Sequence, residues 1–224
     1  MVTRRDDSLA REITLKVVMG KYDDAIGLMT GRRFAVWEGA NLNDADDWTS
    51  AHLLRGQHQL SAGRAREALA DFQRATQIPD NLPSGGRGGG DRSTEAAYWT
   101  GAACEGLGDA EHARQAFTRA ATPADTAGRG GRGPRASAMS AAPSYYRALA
   151  LQKLGRADEA RTILQDLARS SAQSSARPVA AHYAAGLAHL GLGEKDQARQ
   201  EFDEVLKVNP AHVGARSAMA SSAR

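Results

Sequence analysis

Five times along the chain a glycine is followed five residues later by alanine and, four after that, by a large apolar residue. The matches are Gly20-Ala25-Met29, Gly63-Ala68-Phe72, Gly108-Ala113-Phe117, Gly155-Ala160-Leu164 and Gly193-Ala198-Phe202. Seven residues before four of these glycines stands another small residue: Gly56, Gly101, Ala148 or Gly186. A grammar repeated this way describes one helical hairpin copied along a solenoid. The first small residue lets helix A approach its partner closely, and the next glycine caps helix A in a left-handed turn. The alanine keeps helix B close to helix A, and the large residue one turn on fills the gap.

Small, glycine, alanine and large residues in this order resemble the tetratricopeptide repeat. The resemblance implies an all-α, right-handed superhelical solenoid of about five hairpins with insertions between repeats and a C-terminal helix. The five cap glycines are spaced 43, 45, 47 and 38 residues apart. A tetratricopeptide unit is about 34 residues, so the excesses are about 9, 11, 13 and 4. Composition shows where they fall: Gly31 to Asp47, Pro79 to Arg92, Thr122 to Ala142, and Ser170 to Arg177. Gly, Ser and Pro in such runs neither sustain a helix nor bury enough apolar area to order themselves. Residues 79–92 and 122–140 are expected to be flexible inserts. Phe34, Val36 and Trp37 are too apolar for a free linker, and that segment is expected to pack over the first hairpin.

The repeats are placed at residues 6–34, 49–78, 94–122, 141–170 and 179–209, forming a single array over 1–224. Asp47 and Ser93 are the expected N-caps of their helices, while Pro143 and Pro178 suit first helical turns. Asn209-Pro210 reads as N-cap and first residue of a terminal helix over 210–221. Asp203 and Lys207 form an expected i,i+4 pair.

Composition narrows the function classes. Alanine, leucine, arginine and glutamate favour helices, and no alternating strand pattern persists. No apolar run approaches the roughly 20 residues needed to span a bilayer. The start, Met1 to Asp7, has no apolar segment behind its charges, which argues against a secretory signal. One cysteine cannot form an internal disulfide, and a cytoplasmic location is expected. The net charge of +3 is mild and carried almost wholly by arginine, a bias that base composition of a genome produces as readily as function does.

Several stretches resemble one bacterial class more closely. They are Gly31-Arg-Arg-Phe-Ala-Val-Trp-Glu-Gly-Ala40, Ala51-His-Leu-Leu-Arg-Gly56, Tyr98-Trp-Thr-Gly101, Tyr145-Tyr-Arg-Ala-Leu-Ala-Leu151 and Ala181 to Gly193. They are similar to the C-terminal array of large bacterial proteins that carry an N-terminal galactose-mutarotase-like β-sandwich domain. The resemblance implies a separated or truncated tail, with any carbohydrate chemistry in the part absent here.

The candidate site is an aromatic stripe. With each cap glycine at position 15, position 5 holds Leu53, Tyr98, Tyr145 and Tyr183, position 6 holds Leu54, Trp99, Tyr146 and Ala184, and position 9 holds Gln57, Ala102, Leu149 and Leu187. The resemblance implies that these A-helix positions face a concave groove. Tyrosine and tryptophan anchor a bound segment well, giving large contact area with few rotors to freeze. Leu53, Gln57, Tyr98, Trp99, Tyr145, Tyr146, Leu149, Tyr183 and Leu187 are therefore the expected contact residues for a protein or peptide. The opposing reading packs the same rings between neighbouring repeats. No lysine or asparagine stands at positions 2, 5, 6 and 9 of repeats 2 to 5, against a clamp for a C-terminal carboxylate.

Other chemistry finds less support. Gly128 to Gly133 spells a dinucleotide fingerprint, but no strand precedes it and Pro134 follows. Arg87, Arg92, Arg129, Arg132 and Arg135 could touch phosphates of RNA, yet neither insert holds an aromatic residue to stack on bases. Cys104 reads as a small buried hydrophobe. His182 and His189 share a helix face but stand two turns apart, too far to chelate one ion. Asn43 to Asp47 lacks the glycine and distal glutamate of a calcium loop and reads as helix capping. No cofactor, metal or catalytic constellation is expected. The expected function is a non-catalytic binding scaffold, possible partners including the β-sandwich of the same parent. The alternatives are an accessory module of a carbohydrate-active protein and weak RNA binding through the inserts.

Overall fold

The computed structural model describes residues 6–34, 44–82, 92–123, 141–173 and 178–222, and every regular element among them is α-helical. In chain order these are α1 (Asp6–Val18), α2 (Tyr22–Met29), α3 (Asp44–Ser61), α4 (Ala65–Arg74), α5 (Ser93–Gly106), α6 (Ala110–Ala121), α7 (Ala141–Lys153), α8 (Ala157–Ala172), α9 (Pro178–Leu192), α10 (Lys195–Val208) and α11 (Val213–Ser222). Among these residues no helix is long and apolar enough to cross a membrane. Val36, Trp37, Arg87, Arg129, Arg132, Arg135 and most of both expected inserts lie outside the described residues.

The hairpin turns follow the repeated glycines. Gly20, Gly63, Gly108, Gly155 and Gly193 all have φ between 76° and 84°, a region that costs a side-chain-bearing residue about 1–2 kcal/mol. At each, the glycine N–H reaches the carbonyl three residues back and the next N–H reaches five back, as in Gly20 to Val17 (3.1 Å) and Lys21 to Lys16 (2.8 Å). That pair of bonds satisfies the last carbonyls of helix A and reverses the chain.

The small residue earlier in helix A has a defined partner. A Cβ built on Gly56, Gly101 or Gly186 would meet the ring of Phe72, Phe117 or Phe202 at 2.5–2.6 Å. The large residue of helix B thus lies flat on the backbone of helix A, and Ala68, Ala113 and Ala198 stay buried beside it. Burying such a ring contributes roughly 1.5–3 kcal/mol.

The chain divides into two compact units, Met1–Asp91 with Ala102–Asp109, and Arg92–Gly101 with Ala110–Arg224. In the first, α1 packs on α2 and α3, and α3 on α2 and α4. Ile13, Val17, Met29, Leu53 and Phe72 are among its fully enclosed side chains. Trp48 Nε1 and the Thr49 hydroxyl donate to the carbonyls of Arg74 (3.1 Å) and Ala75 (3.1 Å), satisfying the free end of α4. Phe34 is buried, and its segment is tied to the next loop by Asn81, whose Nδ2 donates to the carbonyls of Met29 (2.8 Å) and Arg32 (2.6 Å). In the second unit, α6 packs on α7, α7 on α8 and α9, α9 on α8 and α10, and α11 on α10 and α9. Leu151, Leu164, Phe202, Val205 and Ala215 are enclosed there.

Several boundaries differ from the sequence reading. Helix α3 begins at Asp44, so Asp47 lies within its first turn, buried, and accepts the Thr14 hydroxyl at 2.6 Å instead of capping. Ser93 and Ala141 are helical, and α8 continues to Ala172. Helix α11 starts at Val213, three residues later than Pro210. Lys207 pairs with Glu204 one turn away, and not with Asp203.

Candidate functional site

Within the second unit, α5 and α7 bring four rings into one chain of contacts. Tyr98 lies 5.3 Å from Trp99 and 5.6 Å from Tyr146, centroid to centroid, and Tyr146 lies 5.1 Å from Tyr145. Trp99 stands edge-on to Tyr146 at 6.3 Å. All four are half-buried, as are Leu149 and Tyr183. Each of these residues is therefore packed in part and exposed in part. Tyr98 packs on Phe117 of α6 (5.8 Å), and Tyr183 on Phe202 of α10 (6.1 Å). The same step of two hairpins thus uses the same support: a tyrosine braced on the phenylalanine of its own helix B.

Two residues beside these rings were not legible as a pair. Arg92 and Glu95, at the start of α5, form an ion pair at 2.8 Å with the carboxylate almost fully buried. Burial works against the Arg92 charge, but the Glu95 carboxylate more than offsets it and raises the guanidinium pKa. Burial raises the phenol pKa of Tyr145, Tyr146 and Tyr183, and the Glu95 charge adds to it in all three. The phenols therefore stay protonated and able to donate hydrogen bonds across the whole physiological range. Arg92, read from sequence as an RNA contact, is committed to Glu95. An arginine three residues before a glutamate at a helix start was the available signal.

Two expected contact residues are not surface groups. Leu53 is fully enclosed in the first unit and Leu187 is 3% exposed in the second, because both turn into the hairpin core. Gln57, half-buried, belongs to the first unit. Tyr98, Trp99, Tyr145, Tyr146, Leu149 and Tyr183 remain as partly exposed groups of the second.

The first unit holds a polar cluster that repeat position alone did not reveal. Asp71 of α4 accepts from His52 Nδ1 at 2.7 Å and from Arg55 Nε and Nη2 at 2.8 and 2.6 Å, and Arg55 also reaches Asp23 of α2. His52 and Asp71 are both buried. Burial pushes the Asp71 pKa up, yet the bonds from His52 and Arg55 outweigh it and hold the carboxylate below its ordinary range. The fifth hairpin repeats this pairing at the same spacing, with His182 Nδ1 2.7 Å from Glu201, but there both groups are partly exposed. Among the described residues no group of three or more His, Cys, Asp or Glu side chains could hold a metal ion. Cys104 is buried, as read from the sequence.

The tetratricopeptide repeat family pattern matches residues 145–213 and 183–222, which span α7 to α11. Over its length the chain is similar to solved structures of MamA. One is 18% identical over 90% of this chain and 91% of that one, with a TM-score of 0.34. Another, MamA 41-end from Desulfovibrio magneticus RS-1, is 18% identical over 79% and 90%, with a TM-score of 0.29. Residues 145–222 thus match the tetratricopeptide pattern and fold as helical hairpins followed by α11.

Proposed function

We propose that this chain is a non-catalytic scaffold that binds a protein or peptide through the tyrosine-rich surface of its second unit. The observation that carries this reading is the contact chain Tyr98, Trp99, Tyr146 and Tyr145, each residue packed in part and exposed in part. Rings already fixed by packing lose little freedom when a partner settles on them, so the ordering cost of binding is low. Phenols kept protonated beside a buried ion pair add hydrogen-bond donors to an otherwise apolar surface. Leu149 extends the strip by one apolar contact. Tetratricopeptide repeats serve widely as interaction scaffolds, which supports the same reading.

A displayed library of random peptides is the direct test. Peptides selected on the intact chain should lose binding to a variant carrying Tyr98→Ser, Tyr145→Ser and Tyr183→Ser, with helix content by circular dichroism unchanged. Selected peptides that bind this folded variant as tightly as the parent would overturn the assignment of the surface.

A further inference from the structure

Helix α11 is held at its first turn in an unusual way. Asn209, the cap expected from sequence, instead closes a local turn, its Oδ1 accepting the Ala211 N–H at 3.2 Å. The cap position falls to His212. The Ala215 N–H donates to His212 Nδ1 at 3.1 Å, and the Arg216 N–H donates to the His212 carbonyl at 3.1 Å. Serine, threonine, aspartate and asparagine cap helices because their oxygen accepts at any ordinary pH. An imidazole nitrogen accepts only while it carries no proton. Protonation would set one N–H against another and place a positive charge at the helix end where the macrodipole disfavours it.

Packing also holds α11. Ala215 is its fully enclosed side chain, seated with Phe202 and Val205 of α10 and Leu187 of α9, and Ala218 and Met219 pack at the edge of that core. The His212 ring lies 4.6 Å from the ring of Tyr183, and the Tyr183 hydroxyl fills the space where Gly214 lacks a side chain. A ten-residue helix is marginal by itself, so its order depends on this docking and on its cap.

We propose that α11 is an acid-released strap, held over Tyr183 by the neutral imidazole of His212 and let go when that ring takes a proton. The titratable group that meets the imidazole is Tyr183 from α9; the Arg216 guanidinium of α11 donates through Nη1 to the Pro210 carbonyl at 3.3 Å, and α10 contributes Phe202, Val205 and Leu206 to this core. Burial lowers the His212 pKa, with a hydrogen bond to its own backbone opposing in part. Undocked, the ring takes a proton near the ordinary value of about 6.5; docked, it does so only at lower pH. The docked form therefore has its full stability above about pH 6.5 and loses ground as the pH falls below it. Release uncovers Tyr183 and the α9 face beneath. The strap stands as a proposal whether or not the tyrosine surface binds a partner.

Amide hydrogen exchange of the full chain, corrected for intrinsic rates, tests it without any ligand. Protection across α11 should fall several-fold, to at most about tenfold, between pH 7.5 and pH 5.5, while α10 keeps its own. His212→Asn, which retains a cap acceptor that does not titrate, should show the same protection at both values, and His212→Ala low protection at both. Gly214→Ala, which drives a Cβ into the Tyr183 hydroxyl, should also loosen α11 at both. His182 and His189, paired with Glu201 and Glu194, are unchanged in every variant. An acid-dependent loss that persists in His212→Asn assigns the effect to them and overturns the proposal, as does a wild-type α11 equally protected at both pH values.

Discussion

The ring of Phe72 lies so close over Gly56 that a Cβ on the glycine would stand 2.5 Å from Cε1. Phe117 over Gly101 and Phe202 over Gly186 repeat the relationship at 2.6 and 2.5 Å. Gly101→Ala and Gly186→Ala should each destabilise the fold by about 1–3 kcal/mol, because a ring wedged in a packed core cannot retreat without moving a helix. A Cβ added to Gly27 in α2 would have nothing within 4 Å of it. There the same substitution should stabilise by about 0.5–1 kcal/mol through helix propensity alone. Urea unfolding of the three variants measures the contrast, and equal effects at all three sites would refute it.

Ala113 and Ala160 hold the two helices of their hairpins together and are 3% and 0% exposed. Leucine at either position should overpack the contact and lower stability by about 1–3 kcal/mol. Thermal midpoints unchanged in both variants would mean that helix B can rotate to absorb the added volume.

The pair His52–Asp71 and the pair His182–Glu201 share one spacing and one distance but differ in burial. Asp71→Asn leaves the His52 and Arg55 side chains without their carboxylate and should cost about 3–5 kcal/mol. Glu201→Gln, at a partly exposed pair, should cost under about 1 kcal/mol. Chemical denaturation decides between them; similar losses would mean that geometry, and not desolvation, sets the strength.

Asp44 is fully enclosed, and among the described residues neither of its carboxylate oxygens has a hydrogen-bond partner. Burial, with the Asp6 charge adding, raises its pKa to about 6. Asp47 is raised to about 6 by burial first, against the lowering bond from Thr14 and with Asp44 and Asp46 adding. In the unfolded chain both titrate near 3.8. The folded state therefore takes up protons below about pH 6 that the unfolded chain takes only near pH 4, and these two groups make the first unit more stable as the pH falls through that window. Asp44→Asn should raise stability at pH 7.5 by about 1–3 kcal/mol and flatten the profile toward pH 5. Urea midpoints at the two pH values, compared between wild type and variant, check the sign. A variant less stable than wild type at pH 7.5 would show that the ionised carboxylate is satisfied.

How far the sequence carried is visible residue by residue. The turns were legible because Gly20, Gly63, Gly108, Gly155 and Gly193 need a positive φ, a local requirement that no neighbour can override. Helix starts were less so. The run from Asp44 to Asp47 offers several capping carboxylates, and the choice among them fell to packing against Thr14 and α1, which no local pattern encodes. At the other end of the chain, propensity points to Asn209 as the cap, whereas the cap bond is made by His212, docked against Tyr183. For the candidate site, repeat position put the tyrosines on one helix face but could not say how deep each residue sits. Leu53 shares its repeat position with the tyrosines and Leu187 shares its with Leu149, yet both leucines are enclosed. Arg92 and Glu95 are meaningful only beside Tyr145, Tyr146 and Tyr183, which lie more than a whole hairpin away in sequence.

The fourth hairpin departs from the glycine–phenylalanine pairing. Ala148 and Leu164 stand at the corresponding positions, and Leu164 leans so close to α9 that a Cβ on Gly191 would meet its Cδ2 at 2.6 Å. Space removed at one contact has been returned at the next helix along. The hairpins are consequently not interchangeable parts, although they share one grammar. Grafting α7 onto α6 would set the Ala148 methyl against the Phe117 ring, and joining α5 to α8 would leave Leu164 facing a void above Gly101. Shuffling or duplicating these segments, in a laboratory or in a genome, succeeds only when helix A, helix B and the helix that follows travel as one matched set.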